Sequence, residues 1–194
     1  MVIKDFKIIE KLIKPEKIYN IYHFKPIESF SIDSRTSCSN CAFIALRGKH
    51  KDGHNYIKAA IKRGAGLIIA EEFIPLEKRV PFFVVDDCYR VLYPLINFVR
   101  RKHDPVVCAV SGSLGKTTTK EMLGFLLEGE RRVKTSEKTE NNILGIAKTF
   151  FSLKDEQIVV AEAGTNFTGE IKNIAGAIKP DIGIITFIKP VHLK

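Results

Sequence analysis

Lys116 and the threonines that follow it are the residues of this 194-residue sequence best suited to chemistry. They lie in Ala109-Val-Ser-Gly-Ser-Leu-Gly-Lys-Thr-Thr-Thr-Lys-Glu121, which follows an apolar run and begins a helical pattern. Residues 105–110 read as a short buried strand and 117–127 as a helix. Gly112 and Gly115 let the backbone between them turn tightly with its N–H groups inward. Those N–H groups and the helix dipole favour an anion, so Gly112, Ser113, Gly115, Lys116, Thr117 and Thr118 are expected to hold a nucleotide phosphate chain. Lys116 would reach the outer phosphates, and the Thr117 hydroxyl is placed to ligate Mg2+. These residues point to ATP or GTP. The general pattern G-x-x-x-x-G-K-[ST] has Gly where this chain has Val110, and an ordinary glycine turn capped by Thr is the alternative reading.

These residues need a framework, and short apolar segments supply one. Strand character recurs at 41–46, 66–70, 82–85, 106–110, 158–161 and 182–186 between helical stretches, an alternation that predicts α/β layers. Residues 55–63 have helical spacing and stop at Gly64, and 87–102 is helical in pattern with Pro94 expected to kink or split it. The polar stretch before Pro105 marks a boundary between a domain of residues 1–103 and a second of residues 104–194. A doubly wound sheet starting at residue 106 would have only about three strands by residue 194, so the second domain is expected to be incomplete.

Composition narrows the function classes. Hydrophobic residues make up 45% of the chain, ample for a core, and no apolar run approaches membrane-spanning length. The charged N-terminal segment does not read as a secretory signal, so a cytoplasmic protein is expected. The net charge of +9 is spread along the chain, with clusters only at Arg100–His103 and Arg131-Arg132, so no nucleic acid partner is expected. Cys38 and Cys41 form one C-x-x-C pair, but Cys88 and Cys108 lie apart in apolar stretches, so reduced thiols are expected rather than zinc.

Several further motifs stand in a fixed order around the phosphate loop. They are Asp33-Ser-Arg35, Phe43-Ile-Ala-Leu-Arg-Gly48, Asp52-Gly-His54 and Ala59-Ala-Ile-Lys-Arg-Gly-Ala65, then Asn141-Asn142 with Gly145, Glu162-Ala-Gly164, Gly169-Glu-Ile171 and His192-Leu193. In this order, around the loop, they resemble the Mur ligases of bacterial cell-wall synthesis. Lys120-Glu121 and Gly169-Glu-Ile171 favour the branch that adds D-alanyl-D-alanine. The resemblance implies a small uridine-nucleotide-binding α/β domain followed by an incomplete P-loop-type parallel-sheet domain.

It also implies an activity: ATP-dependent, Mg2+-assisted joining of D-alanyl-D-alanine to UDP-N-acetylmuramoyl-tripeptide through an acyl phosphate. This chain alone would be an inactive fragment, since the family's remaining parts would lie beyond Lys194. Ser34 and Arg35 would hold the UDP part, with a plain turn as the alternative. Asn141 and Asn142 would lie near the substrate, with capping of the following helix as the alternative. Glu162, at the end of an apolar strand, would ligate Mg2+ opposite Thr117, and His192 would help to hold a second Mg2+. With Lys116 these two would make up the catalytic set. Around His192 the chain departs from the family pattern at Phe187, Lys189, Val191 and Lys194. A sibling ligase adding the third amino acid to a UDP-linked dipeptide, a non-catalytic UDP-substrate or nucleotide-binding module, and an unrelated ATPase or nucleic-acid binder are the competing readings.

Overall fold

A computed structural model gives the structure of residues 1–35, 39–77, 79–137, 141–164 and 168–189. The chain forms two compact units, Met1–Leu95 and Ile96–Lys194.

In the first unit α1 (Phe6–Ile13) begins at Asp5, whose carboxylate accepts the N–H of Lys7. It leads to β1 (Lys17–Tyr19), β2 (Ser29–Ser31) and β3 (Cys41–Ile44). The expected helix at 55–63 starts as a 3-10 turn, Gly53–Tyr56, and becomes α2 (Ile57–Lys62). Then come β4 (Leu67–Ala70) and β5 (Phe82–Val84), and α3 (Cys88–His103) begins in the first unit and ends in the second. The sheet order is β1-β5-β4-β3-β2, parallel throughout except for β1 against β5. β3, β4 and β5 are buried along their whole length, as strands of a covered parallel sheet must be. Cys41, Phe43, Ile57, Ile61, Ile68 and Phe82 form the core between the sheet and α2.

α3 is not split at Pro94. A proline in a helix interior costs about 3 kcal/mol. Burial of Val91, Leu92, Leu95, Ile96 and Val99 along one stripe outweighs that loss, at roughly 1.5–3 kcal/mol for each large side chain.

The second unit comprises β6 (Val106–Ser111), α4 (Lys116–Glu128), β7 (Val133–Thr135), α5 (Ile143–Phe151), β8 (Ile158–Glu162), α6 (Glu170–Ile178) and β9 (Ile182–Ile185). Its strands are all parallel in the order β7-β8-β6-β9. β7 is a fourth strand that the sequence reading did not include. The chain leaves β6 toward β8 and β7 on one side and returns to β9 on the other, so the loop after β6 lies at the carboxyl end of the sheet near a switch point. The α/β reading holds in both units.

Arg100 closes the opposite end of this sheet. Its guanidinium donates to Ile178 O at 3.2 Å and meets Asp104 and Asp181 at 2.9 Å each, while Asp181 also accepts the N–H of Val107 at 2.7 Å. A residue of the apparent basic cluster is thus nearly buried and consumed within the fold. Cys88 and Cys108 are free and buried, as expected. Cys41 is disulfide-bonded, so the expectation of reduced thiols does not hold there. Among the described residues no helix is long and apolar enough to cross a membrane.

Candidate active site

The loop Gly112–Gly115 joins β6 to α4, and both of its glycines have positive φ, +132° and +80°. A side chain at Gly112 would also collide with the Thr186 hydroxyl. Gly115 caps α4 without a side chain, and the first helical N–H to find a carbonyl is that of Thr119, bonded to Gly115 O at 2.9 Å. The N–H groups of Lys116, Thr117 and Thr118 therefore point out of the helix end, where the partial positive charge of the dipole is concentrated. The Lys116 ammonium curls back to donate to Gly112 O at 2.8 Å. The glycine turns and the outward N–H groups at the start of α4 are those expected from the residue types.

Ser113 is used differently. Its N–H donates to Phe187 O at 2.6 Å, and its hydroxyl donates to Lys189 O and accepts the Lys189 N–H. Thr186 adds hydroxyl bonds to Ser111 O and Leu114 O. The segment after β9 is thus strapped along the loop.

Strand β8 delivers Glu162 to the same place. Its register brings Glu162 beside Val110 at the carboxyl end of β6. The carboxylate, 3% exposed as a residue, accepts from the Thr117 hydroxyl at 2.7 Å through Oε2 and from the Asn141 amide at 3.3 Å through Oε1. Gly164 permits the second contact, because a Cβ there would lie 2.6 Å from the Asn141 amide. Lys116, Thr117, Asn141 and Glu162 are therefore brought together.

Asn142 does what the capping alternative describes: its side-chain oxygen accepts the N–H groups of Leu144 and Gly145 at the start of α5. His192 lies outside the described residues. A cavity of about 510 Å3 extends from Ser111, Gly112, Lys116 and Asn141 over the apolar side chains of Ile174 and Ile184.

Two residues of this neighbourhood were not assigned a role from sequence. Lys120 is fully buried on α4 and donates to Ser136 O, and its ammonium lies 3.0 Å from Glu121. Ser136, also buried, accepts the N–H of Glu162 through its hydroxyl at 3.0 Å. The available signal was a lysine on the same helical stripe as Leu123 and Leu127.

In the first unit Ser34 and Arg35 lie in a turn built by Asp33. The Asp33 carboxylate accepts the Arg35 N–H at 2.9 Å and pairs with its guanidinium at 2.7 Å, leaving that side chain 81% exposed. His54 is buried, with both ring nitrogens engaged: Nδ1 lies 2.6 Å from Asp52 and Nε2 accepts the Glu71 N–H at 3.1 Å. That acceptor role assigns the ring proton to Nδ1.

Residues 26–103 match the Mur ligase family catalytic domain, and residues 110–194 match the Mur ligase middle domain. The chain belongs to the Mur ligase family. Among its Mur ligase relatives, the UDP-N-acetylmuramoyl-tripeptide--D-alanyl-D-alanine ligase of Haemophilus influenzae is 33% identical over 174 residues, 87% of this chain and 38% of that protein. The Rickettsia prowazekii enzyme of the same name is 33% identical over 78% of this chain and 34% of its own length. A crystal structure of MurF from Acinetobacter baumannii superposes with a TM-score of 0.78 at 29% identity, covering 94% of this chain and 40% of that one. The chain thus spans about two fifths of the length of the Mur ligases it matches.

Proposed function

We propose that this chain carries the uridine-nucleotide end and the ATP-phosphate end of a ligase that joins D-alanyl-D-alanine to UDP-N-acetylmuramoyl-tripeptide in the cytoplasm. In this reading residues 1–103 hold the UDP-linked substrate, through Ser34 and Arg35, and residues 104–194 hold ATP. The observation that carries it is the convergence of Lys116, Thr117, Asn141 and Glu162 at the carboxyl end of a parallel sheet.

The hydroxyl of Thr117 and the carboxylate of Glu162 are hard oxygen donors 2.7 Å apart, which fits Mg2+. No cluster of three His, Cys, Asp or Glu side chains that could hold a metal occurs among the described residues. When bound, Mg2+ would neutralise charge on the β- and γ-phosphates. Thr117 and Glu162 hold its place, Lys116 pairs with the outer phosphates, and the outward N–H groups of the α4 end orient the chain of phosphates.

A carboxylate oxygen of the tripeptide attacks the γ-phosphorus, forming an acyl phosphate as the bridging P–O bond to ADP breaks. The amine of D-alanyl-D-alanine then attacks the acyl carbon, loses a proton and expels inorganic phosphate. The residues in hand serve the first step, by positioning and by electrostatic stabilisation.

Calorimetric titration of the chain tests this reading. UDP-N-acetylmuramoyl-tripeptide is expected to bind saturably and to lose affinity in Arg35→Ala. Magnesium ATP is expected to bind and to lose affinity about tenfold or more in Lys116→Ala. A folded chain that takes up neither nucleotide would overturn the assignment.

A further inference from the structure

Lys120 has no part in the steps above, yet it is the most completely buried charged residue in this neighbourhood. An ammonium out of water requires close partners, and losing one leaves an uncompensated buried charge. A leucine or methionine would fill the same space on α4 without that penalty. The position of its head group therefore calls for a role beyond packing.

Lys120 follows Thr117 by three residues, so the two side chains lie on the same face of α4 one turn apart. Both reach the end of β8. Thr117 does so directly, through its hydroxyl bond to the Glu162 carboxylate at 2.7 Å. Lys120 does so through Ser136, the residue just past β7. β7 and β8 pair as far as Thr135 and Val160, after which Ser136 N–H donates to Val160 O at 3.1 Å. The Ser136 hydroxyl then accepts the Glu162 N–H at 3.0 Å, and the Ser136 carbonyl accepts from Lys120. All three polar groups of one buried serine are committed, and two of them link Lys120 to the backbone of Glu162.

We propose that Lys120 is a positioning residue: it fixes Ser136, and through Ser136 the Glu162 main chain, so that the Glu162 carboxylate faces Thr117 in the geometry a phosphate-bound divalent cation needs. Helix α4 then brackets the carboxylate at two points, one on its side chain and one behind its backbone. This inference rests on the reading of Thr117 and Glu162 as the magnesium site.

The test compares ATP affinity with and without Mg2+ in the parent chain, Lys120→Met, Ser136→Ala and the double variant, by calorimetry, with circular dichroism to establish folding. Outer groups that orient metal ligands are worth roughly tenfold in metal affinity. Both single variants are expected to lose about that factor in the magnesium-dependent gain while keeping the parent's affinity for metal-free ATP. The double variant is expected to lose no more than the worse single, because the two act in series.

If Lys120→Met does not fold, Ser136→Ala decides alone, since it removes one hydroxyl and leaves the carbonyl to Lys120. Full magnesium response in Ser136→Ala, in folded Lys120→Met, or additive losses in the double variant would overturn the proposal while leaving the site assignment intact. A folded parent chain whose ATP binding ignores magnesium would overturn both.

Discussion

Asp52 illustrates how single groups in the first unit tie chemistry to stability. The backbone N–H of His54 is the main influence holding the Asp52 carboxyl below its ordinary value, burial opposes it, and the His54 ring and Arg47 add smaller contributions in the same direction as the N–H. A depressed carboxyl stabilises the fold above its unfolded value, near pH 3.9, and that contribution disappears as pH falls through the lower folded value. Asn at this position can still accept both His54 bonds but carries no charge. Asp52→Asn is therefore expected to be less stable than the parent at pH 7, with the gap closing in acid, as urea denaturation from pH 7 to about pH 2.5 would measure. A gap constant across that range would mean the charge contributes nothing. At this scale the places of Lys116, Thr117 and Glu162 in the fold were legible in the sequence, because a glycine turn before a helix and a carboxylate ending an apolar strand each need few neighbours to be recognised. Lys120 and Ser136 were not, because their meaning lies in one hydrogen-bonded chain across elements 16 residues apart.

Helix α5 separates two roles that the paired asparagines could have shared. Asn142 caps the helix, whereas Asn141 donates to Glu162. Asn142→Ala is expected to cost about 1 kcal/mol in chemical denaturation with ATP affinity unchanged, and Asn142→Asp to restore the stability. A loss of ATP affinity without loss of stability in Asn142→Ala would assign it to the ligand instead. Elements were readable where burial wrote a pattern into the side chains. β3, β4 and β8 are apolar runs, and α3 keeps a continuous stripe through Pro94 because packing outweighs the missing N–H. β1 and β7 carry no such pattern: Lys17–Tyr19 and Val133–Thr135 are three-residue strands, polar in part and only half-buried at best, which pair because neighbouring strands offer them backbone partners.

Across the second unit as a whole, the order β7-β8-β6-β9 places the strand that feeds the phosphate loop beside β9, the outermost described strand on that side. Ile182 and Ile185 of β9 are more than half exposed, while Val107, Val110, Val159 and Val160 of the inner strands are fully buried. Local stability should fall outward across such a sheet, and amide hydrogen exchange reads that gradient directly. The inner amides of β6 and β8 are expected to exchange slowest and those of β9 earlier. Ser113 is the informative exception. Its sequence neighbours belong to the loop between β6 and α4, but its N–H is held by Phe187 O, just past β9. Its exchange clock should therefore run with β9, each opening of that strand briefly returning one more N–H to the rim of the Gly112–Gly115 loop.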